Sequence, residues 1–313
     1  MRILVIYNPR SGLQDGTIFT FIRHFAKADD EVVLRVLGAD KPIAEYLEDA
    51  SGFDLVVSAG GDGTVSTICY ALSYSKIPIL PFPSGTGNLL FTNLDLPDEP
   101  VALAALAHEP YILDFDMGEV SFISEGNPVT KGFAVAAGAG FDASIMKAAE
   151  GLKSSFGSAA YVLAALSHAN PVFSKFTIEL DDQTVTSEGI AVLLLNFAKI
   201  HTDISITQSN NALDGMLEVT ILKSHNAVEL LPVLLSALFD RSASFTRQSN
   251  IIETHLSKSA RISADPPLQI QYDGETPDVL TPIEARILPM AIRLVVPERT
   301  YRRFMDVEAI HST

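Results

Sequence analysis

Three glycines and one carboxylate meet at a single corner of this chain, Ala59-Gly60-Gly61-Asp62-Gly63-Thr64. A hydrophobic strand, 54–58, enters the corner, and a helical pattern leaves it at once. Glycine lets the backbone turn tightly and lets a ligand approach where no Cβ stands in the way. The helix that follows aims N–H groups and the positive end of its dipole at the same spot. Such a corner suits a phosphate. Asp62 repels a bare phosphate, so its place there makes sense if Mg²⁺ or a substrate hydroxyl lies between the two. A tight βα turn with Asp62 as a helix cap is the plain alternative.

Two further loops bear on that choice. "YNPRSG", 7–12, follows the first strand, and "PSGTGN", 83–88, follows the fourth and precedes a helix. In a parallel sheet such loops leave the same, C-terminal edge. Asn8, Pro9, Arg10, Ser11 and Gly12 would then face Gly60 to Thr67 (with Val65 and Ser66) and Ser84, Gly85, Thr86 and Asn88. Hydroxyls and backbone N–H groups from three loops are what polyphosphate recognition needs. No Gly precedes a Lys anywhere, so the chain has no Walker A loop. "GAGFDA", 138–143, mimics a dinucleotide fingerprint, but 151–178 holds no acid to bind a ribose. In the second half, "YDGE", 272–275, sets Asp273 and Glu275 around one glycine, and "NALDGMLEV", 211–219, holds another Asp-Gly. Each reads equally well as an ordinary turn.

The elements that must position these loops alternate over the first ~115 residues. "RILVIYN", "EVVLRVL", "DLVVSA" and "IPILPF" read as strands. Residues 16–28, "KPIAEYLEDA", 64–75, "GNLLFTNL" and "DEPVALAALAH" read as helices. This order implies a parallel sheet covered on both faces. After Asp114 the rhythm changes. "DMGEVSF", "KGFAVAAG", "KFTIELDD", "QTVTSEGIAVLLLN", "MLEVTILK", "ARISAD", "LQIQYDG" and "ARILPMAIRLVVP" read as strands, interrupted by helices at about 142–169 and 225–240. That half is an antiparallel sandwich or barrel.

Bulk composition removes several function classes. The 313 residues suffice for two domains, and 47% apolar with 19% charged content fits a packed core. A net charge of −16 disfavours nucleic acid and gives no general attraction to anionic membranes. Cys69 is the only cysteine, which excludes a disulfide framework and a cysteine zinc cluster. The seven histidines show no metal-ligand spacing. "MRILVIYNPRSG" is stopped by Asn8-Pro9 too early for a signal peptide. "VELLPVLLSALF", 228–239, is too short to span a bilayer, and reads as a buried helix or a surface that touches lipid. The expectation is a cytoplasmic protein.

"NPRSG", "GGDGT", "PSGTGN", "GFDA", "LDGMLEV" and "YDGE", in this order, resemble the diacylglycerol kinase catalytic-domain family, and within it the bacterial soluble lipid kinases related to sphingosine kinases. The resemblance covers nearly the whole chain. GGDGT alone is shared with NAD kinases; the combination with the other two loops is more specific. It implies an α/β nucleotide domain, 1–116, to which 298–313 return, and a β-sandwich lipid-binding domain, 117–297, with ATP and lipid meeting in the cleft. By resemblance, Asn8 to Gly12, Gly61 to Thr67 and Thr86 contact ATP. Asp62 acts through Mg²⁺ or on the acceptor hydroxyl, Glu275 is the proton acceptor, and Asp273 shares its polar network. Asp214, with the carbonyls of Asn211 and Met216, matches a structural Mg²⁺ site; Leu213 stands where many members carry a second acid. The lipid head would lie at "GAGFDA", with Gly140 and Asp142, and its tail along 156–166. Transient contact with a membrane surface and a homodimer are further expectations. The rivals are an NAD kinase and a nucleotide-sensing protein without catalysis.

Overall fold

The computed structural model describes residues 1–11, 16–85, 87–140, 171–197, 199–201, 204–205, 211–224 and 251–311. The chain divides into two compact units. One comprises Met1–Met117 with Pro289–Thr313, the other Gly118–Leu288.

In the first unit, strands β1 (Arg2–Tyr7), β2 (Glu31–Val36), β3 (Leu55–Gly60) and β4 (Pro78–Pro83) are parallel, in the order β2-β1-β3-β4. The C-terminal end of the strand Ile283–Val296 adds to β4, with Arg293 opposite Pro78. Helices α1 (Thr17–Phe25), α2 (Asp62–Ala71), α3 (Leu89–Asn93) and α4 (Pro100–His108) connect or cover these strands. Ile3 to Ile6 and Leu55 to Val57 are fully buried, as continuous apolar strands are when both faces are covered. Phe21, Phe25 and Ile68 of the helices are fully buried, and the Phe21 ring meets Phe82 of β4 edge-on at 5.6 Å. The C-terminal helix Glu298–His311 belongs to this unit and is pinned there, the Thr300 hydroxyl donating to the Leu94 carbonyl at 2.8 Å.

One element departs from its sequence reading. "KPIAEYLEDA" forms two short 3₁₀ turns, Ile43–Leu47 and Ala50–Gly52, rather than a helix. Only Leu47 and Ala50 of these turns are buried, so packing does not sustain a full helix. Arg35 also takes the Tyr46 carbonyl at 2.6 Å, an acceptor that an α-helix would use itself.

The second unit is a sandwich of antiparallel strands. One set joins Ser174–Leu180 to Thr184–Gly189 and to Ser259–Asp265, which continues to Ile283 onward; Gly118 to Ser124 forms a hairpin with Asn127–Phe133. The other sheet runs Ile252–Ser257, Leu217–Leu222, Ala191–Leu195, Ala136–Ala139, Ile270–Tyr272. Phe122, Phe133, Phe176 and Ile262 of the first set share one core with Leu194, Val219 and Ile270 of the second. A small ladder pairs Lys199–His201 with Ile204–Ser205.

Two segments read as single strands are divided. "KGFAVAAG" breaks between Phe133 and Ala136, and "QTVTSEGIAVLLLN" breaks at Ile190, each piece joining a different sheet. The edge strand Ile252–Ser257 was not foreseen, because its Glu, Thr and His content hides the pattern. The helices expected at 142–169 and 225–240 lie outside the described residues. Among the described residues no helix is long and apolar enough to cross a membrane.

Candidate active site

The first unit brings the three loops together at the C-terminal ends of β1, β3 and β4. The Asn8 amide donates to the Thr64 hydroxyl at 2.8 Å, and the Asn8 backbone N–H to the Ala59 carbonyl at 2.8 Å. The first loop is thereby tied to the second. Ser11 closes a turn on the Asn8 carbonyl through its hydroxyl, at 2.7 Å. The second loop touches the third at glycine backbones. A Cβ on Gly85 would come within 2.6 Å of the Gly61 Cα, and one on Gly60 within 2.5 Å of the Thr64 side chain. Only residues without side chains let these backbones stack so closely.

Asp62 is the first residue of α2, on the positive end of that helix. No side chain caps α2, whose N-cap is Gly61. Asp62 instead accepts the backbone N–H of Leu89, the first residue of α3, at 2.6 Å. The carboxylate therefore ties the third loop to the second. Asn88 holds that loop in shape: it adopts a left-handed conformation with φ 48°, and its side chain bonds both N–H and carbonyl of Gly85. Thr67 is exposed and its hydroxyl donates to the Gly63 carbonyl one turn back in α2, at 2.7 Å, while Ser66 is buried. Arg10 is the one Lys or Arg in the three loops and reaches the Gly38 carbonyl at 3.0 Å. Gly12 and Thr86 lie outside the described residues.

In the second unit, "YDGE" is a tight hairpin turn. Asp273 and Gly274 both have positive φ, 39° and 84°, and Tyr272 and Glu275 exchange backbone hydrogen bonds at 2.8 and 3.0 Å. This is the signature of the two-residue turn that matches the twist of paired strands. Glu275 is left exposed at its end. Burial, and then the Glu275 charge, pushes the Tyr272 hydroxyl above the usual phenol range. Asp273 is 5% exposed, and its carboxylate accepts the backbone N–H groups of Ala134, Val135 (3.0 Å) and Ala136 (2.9 Å). These donors are thereby lost to strand pairing, which is why "KGFAVAAG" breaks there. Sequence reasoning missed this nest, since backbone amides leave no residue-type signal.

The nest carries a prediction. Asp273→Asn turns an amide NH₂ toward one of the N–H donors and removes the charge from all three bonds, at a cost of about 2–4 kcal/mol. Urea denaturation is the check; a loss under about 0.5 kcal/mol would place the variant among ordinary surface changes and contradict the nest.

Asn211, Asp214 and Met216 occupy one turn. The Asp214 carboxylate accepts the Met216 N–H at 2.9 Å, and the Asn211 carbonyl accepts the Asp214 N–H at 3.3 Å. One carboxylate with carbonyl oxygens is a hard donor set of the kind Mg²⁺ takes together with water. Among the described residues no three His, Cys, Asp or Glu gather for a metal. Gly140, at φ 90°, ends its strand with its N–H on the Gln269 carbonyl at 3.0 Å; Asp142 lies outside the described residues.

A parallel α/β unit with a three-loop glycine corner, followed in the chain by an antiparallel sandwich, belongs to a class of kinase-like phosphotransferases. Residues 2–120 match the family described as diacylglycerol kinase catalytic domain, and 135–296 the YegS C-terminal NAD kinase beta sandwich-like domain. The chain belongs to the family that joins these two domains. An uncharacterized protein of Synechocystis sp. is 28% identical over 277 residues, a span of 85% of this chain but only 59% of that protein. A diacylglycerol kinase of Mycobacterium tuberculosis is 28% identical over 276 residues, 85% of each chain. The crystal structure of a diacylglycerol kinase from Bacillus anthracis shares the fold with a TM-score of 0.69 at 19% identity, over 96% of this chain and 98% of that one.

Proposed function

We propose that this protein is an ATP-dependent lipid kinase that moves the γ-phosphoryl group of ATP to a lipid hydroxyl, most simply that of a diacylglycerol-like acceptor. The observation that carries the reading is the mutual bonding of the three loops, Asn8 to Thr64 and Asp62 to Leu89, in a chain of this family. Phosphoryl transfer asks the protein mainly for positioning and charge stabilisation. The corner supplies the end of α2 and glycine backbones that a phosphate can approach. Arg10, in the first loop, adds a positive charge. Mg²⁺, when bound with the nucleotide, neutralises charge on the triphosphate, and Asp62 is the residue that would hold it. Glu275, exposed at its turn, takes the proton of the acceptor hydroxyl as the new P–O bond forms and ADP departs. Asp273 positions that turn. The lipid head is assigned to Gly140 and, by resemblance alone, Asp142. The protein meets its lipid at a membrane surface in transient contact, from the cytoplasm.

The test is incubation with γ-labelled ATP and a total lipid extract, with NAD in a parallel tube. Mass spectrometry of a labelled phospholipid is the expected result. Label on NAD alone, or on neither acceptor despite ATP binding, would overturn the reading.

The turn at 211–216 is tested separately. If Asp214 holds a structural Mg²⁺, added Mg²⁺ raises the Tm of the wild type through linkage, and raises that of Asp214→Ala less. Equal Mg²⁺-dependent shifts in the two proteins would remove Asp214 from the site.

A further inference from the structure

The five-residue helix α3 follows the third loop directly, and Leu89 at its start gives its N–H to Asp62. A helix of about one and a half turns is not stable by itself. Whatever holds its ends therefore also places the loop in front of it. The far end is held by the C-terminal helix Glu298–His311, which lies in the same unit. Three successive carbonyls end α3, and each accepts a bond from a side chain of that helix. Asn93 accepts Arg303 at 3.0 Å, Leu94 accepts the Thr300 hydroxyl at 2.8 Å, and Asp95 accepts Arg299 at 2.7 Å. Arg303 also pairs with the Asp95 carboxylate. Positions 299, 300 and 303 share one helix face, because residues three and four apart are neighbours there. The carbonyls at a helix C-terminus carry partial negative charge, so two guanidinium groups suit them. Asp95, at φ 52°, closes α3 in the left-handed conformation usual at such ends.

What else each helix touches shows which one depends on the other. The C-terminal helix has 14 residues and packs through its rings, Phe304 meeting Phe115 edge-on at 5.0 Å and Tyr301 lying 5.3 Å from Tyr111. It keeps these contacts without the arginines. α3 buries Leu90 and Phe91, but apolar burial is non-directional and does not fix where a short helix points. The polar bonds at its two ends do. The Arg303 side chain is 43% exposed, and exposed ion pairs contribute little to stability, so its effect falls on placement. We infer that Arg299, Thr300 and Arg303 are positioning residues for the nucleotide. They hold α3 so that Leu89 meets Asp62 and the third loop stays against the second. The inference rests on the reading of that corner as an ATP site.

The test measures ATP affinity, melting and amide exchange on the full chain. Arg303→Ala should raise the Kd for ATP with Mg²⁺ about fivefold while moving the Tm by less than about 2 °C. Thr300→Val leaves the buried Leu94 carbonyl without its donor, so it should raise the Kd and lower the Tm, and Thr300→Ser should restore both. Without nucleotide, exchange at the Leu89 amide should be faster in Arg303→Ala than in the wild type, because its bond to Asp62 opens more often. A role in stability alone would move the Tm and leave both the Kd and Leu89 unaltered. Unchanged affinity in Arg303→Ala and Thr300→Val, with ATP bound by the wild type, overturns the inference alone. So does a raised Kd with Leu89 exchange unaltered, which puts the effect elsewhere. A wild-type chain that binds no ATP overturns the reading of the corner, and the inference with it.

Discussion

Asp62→Asn is expected to bring turnover to background while the protein stays folded. The argument rests on what the carboxylate does in the corner. Its Oδ1 accepts the Leu89 N–H at 2.6 Å, and an asparagine oxygen of the same shape can accept it too. The tether between the second and third loops therefore survives the change. What disappears is the negative charge, and with it the group that would hold Mg²⁺ or the acceptor hydroxyl against the triphosphate. Removing one preorganised electrostatic partner of a transition state costs about 10²–10³ in kcat, and a lost metal contact adds to that. Asp62→Ala separates the two roles. It should lose activity to the same extent and also lower the Tm, because Leu89 is left without its acceptor. Near wild-type kcat in Asp62→Asn, with an unchanged Mg²⁺ requirement, would reduce Asp62 to a tether.

The second large effect is expected for Glu275→Gln. The turn itself should be indifferent to the change, since Tyr272 and Glu275 are joined through backbone groups alone and the Asp273 nest is untouched. Glutamine keeps the shape and cannot take a proton. The expected outcome is a fall in kcat of roughly 10²–10⁴ with little change in the KM for ATP. A carboxylate is a weak base toward an alcohol, so the proton moves late, and the loss should appear at saturating lipid. A solvated turn residue would leave both constants alone. A kcat within about threefold of wild type, in a variant with unaltered melting, would take the role of base away from Glu275.

The sandwich shows where reading by pattern stops. Its strands alternate, and most were legible. The points where a strand leaves one sheet for another were not. Phe133 to Ala136 looks like continuous strand because nothing in "FAVA" distinguishes an amide that pairs with a neighbour from one that bonds a carboxylate 137 to 139 residues away. The 3₁₀ turns at 43–52 failed for a similar reason. Their helical spacing is real, but an arginine from β2 takes one of the carbonyls that a helix needs.

The sequence by itself determined the α/β rhythm of the first unit and the glycine backbone of its corner. Parallel strands buried on both faces must be continuous apolar runs, and backbones that nearly touch must be glycine, so both leave a mark in residue type. Only the tertiary structure decided the partners of the carboxylates. That Asp62 also ties the third loop to the second shows only when Leu89, 27 residues on, is seen to donate to it. Asp273 reads as a loop acid until three amides converge on it in the interior. A carboxylate's role depends on which donors surround it, and when those donors are backbone N–H groups, common to nearly every residue type, the sequence cannot name them.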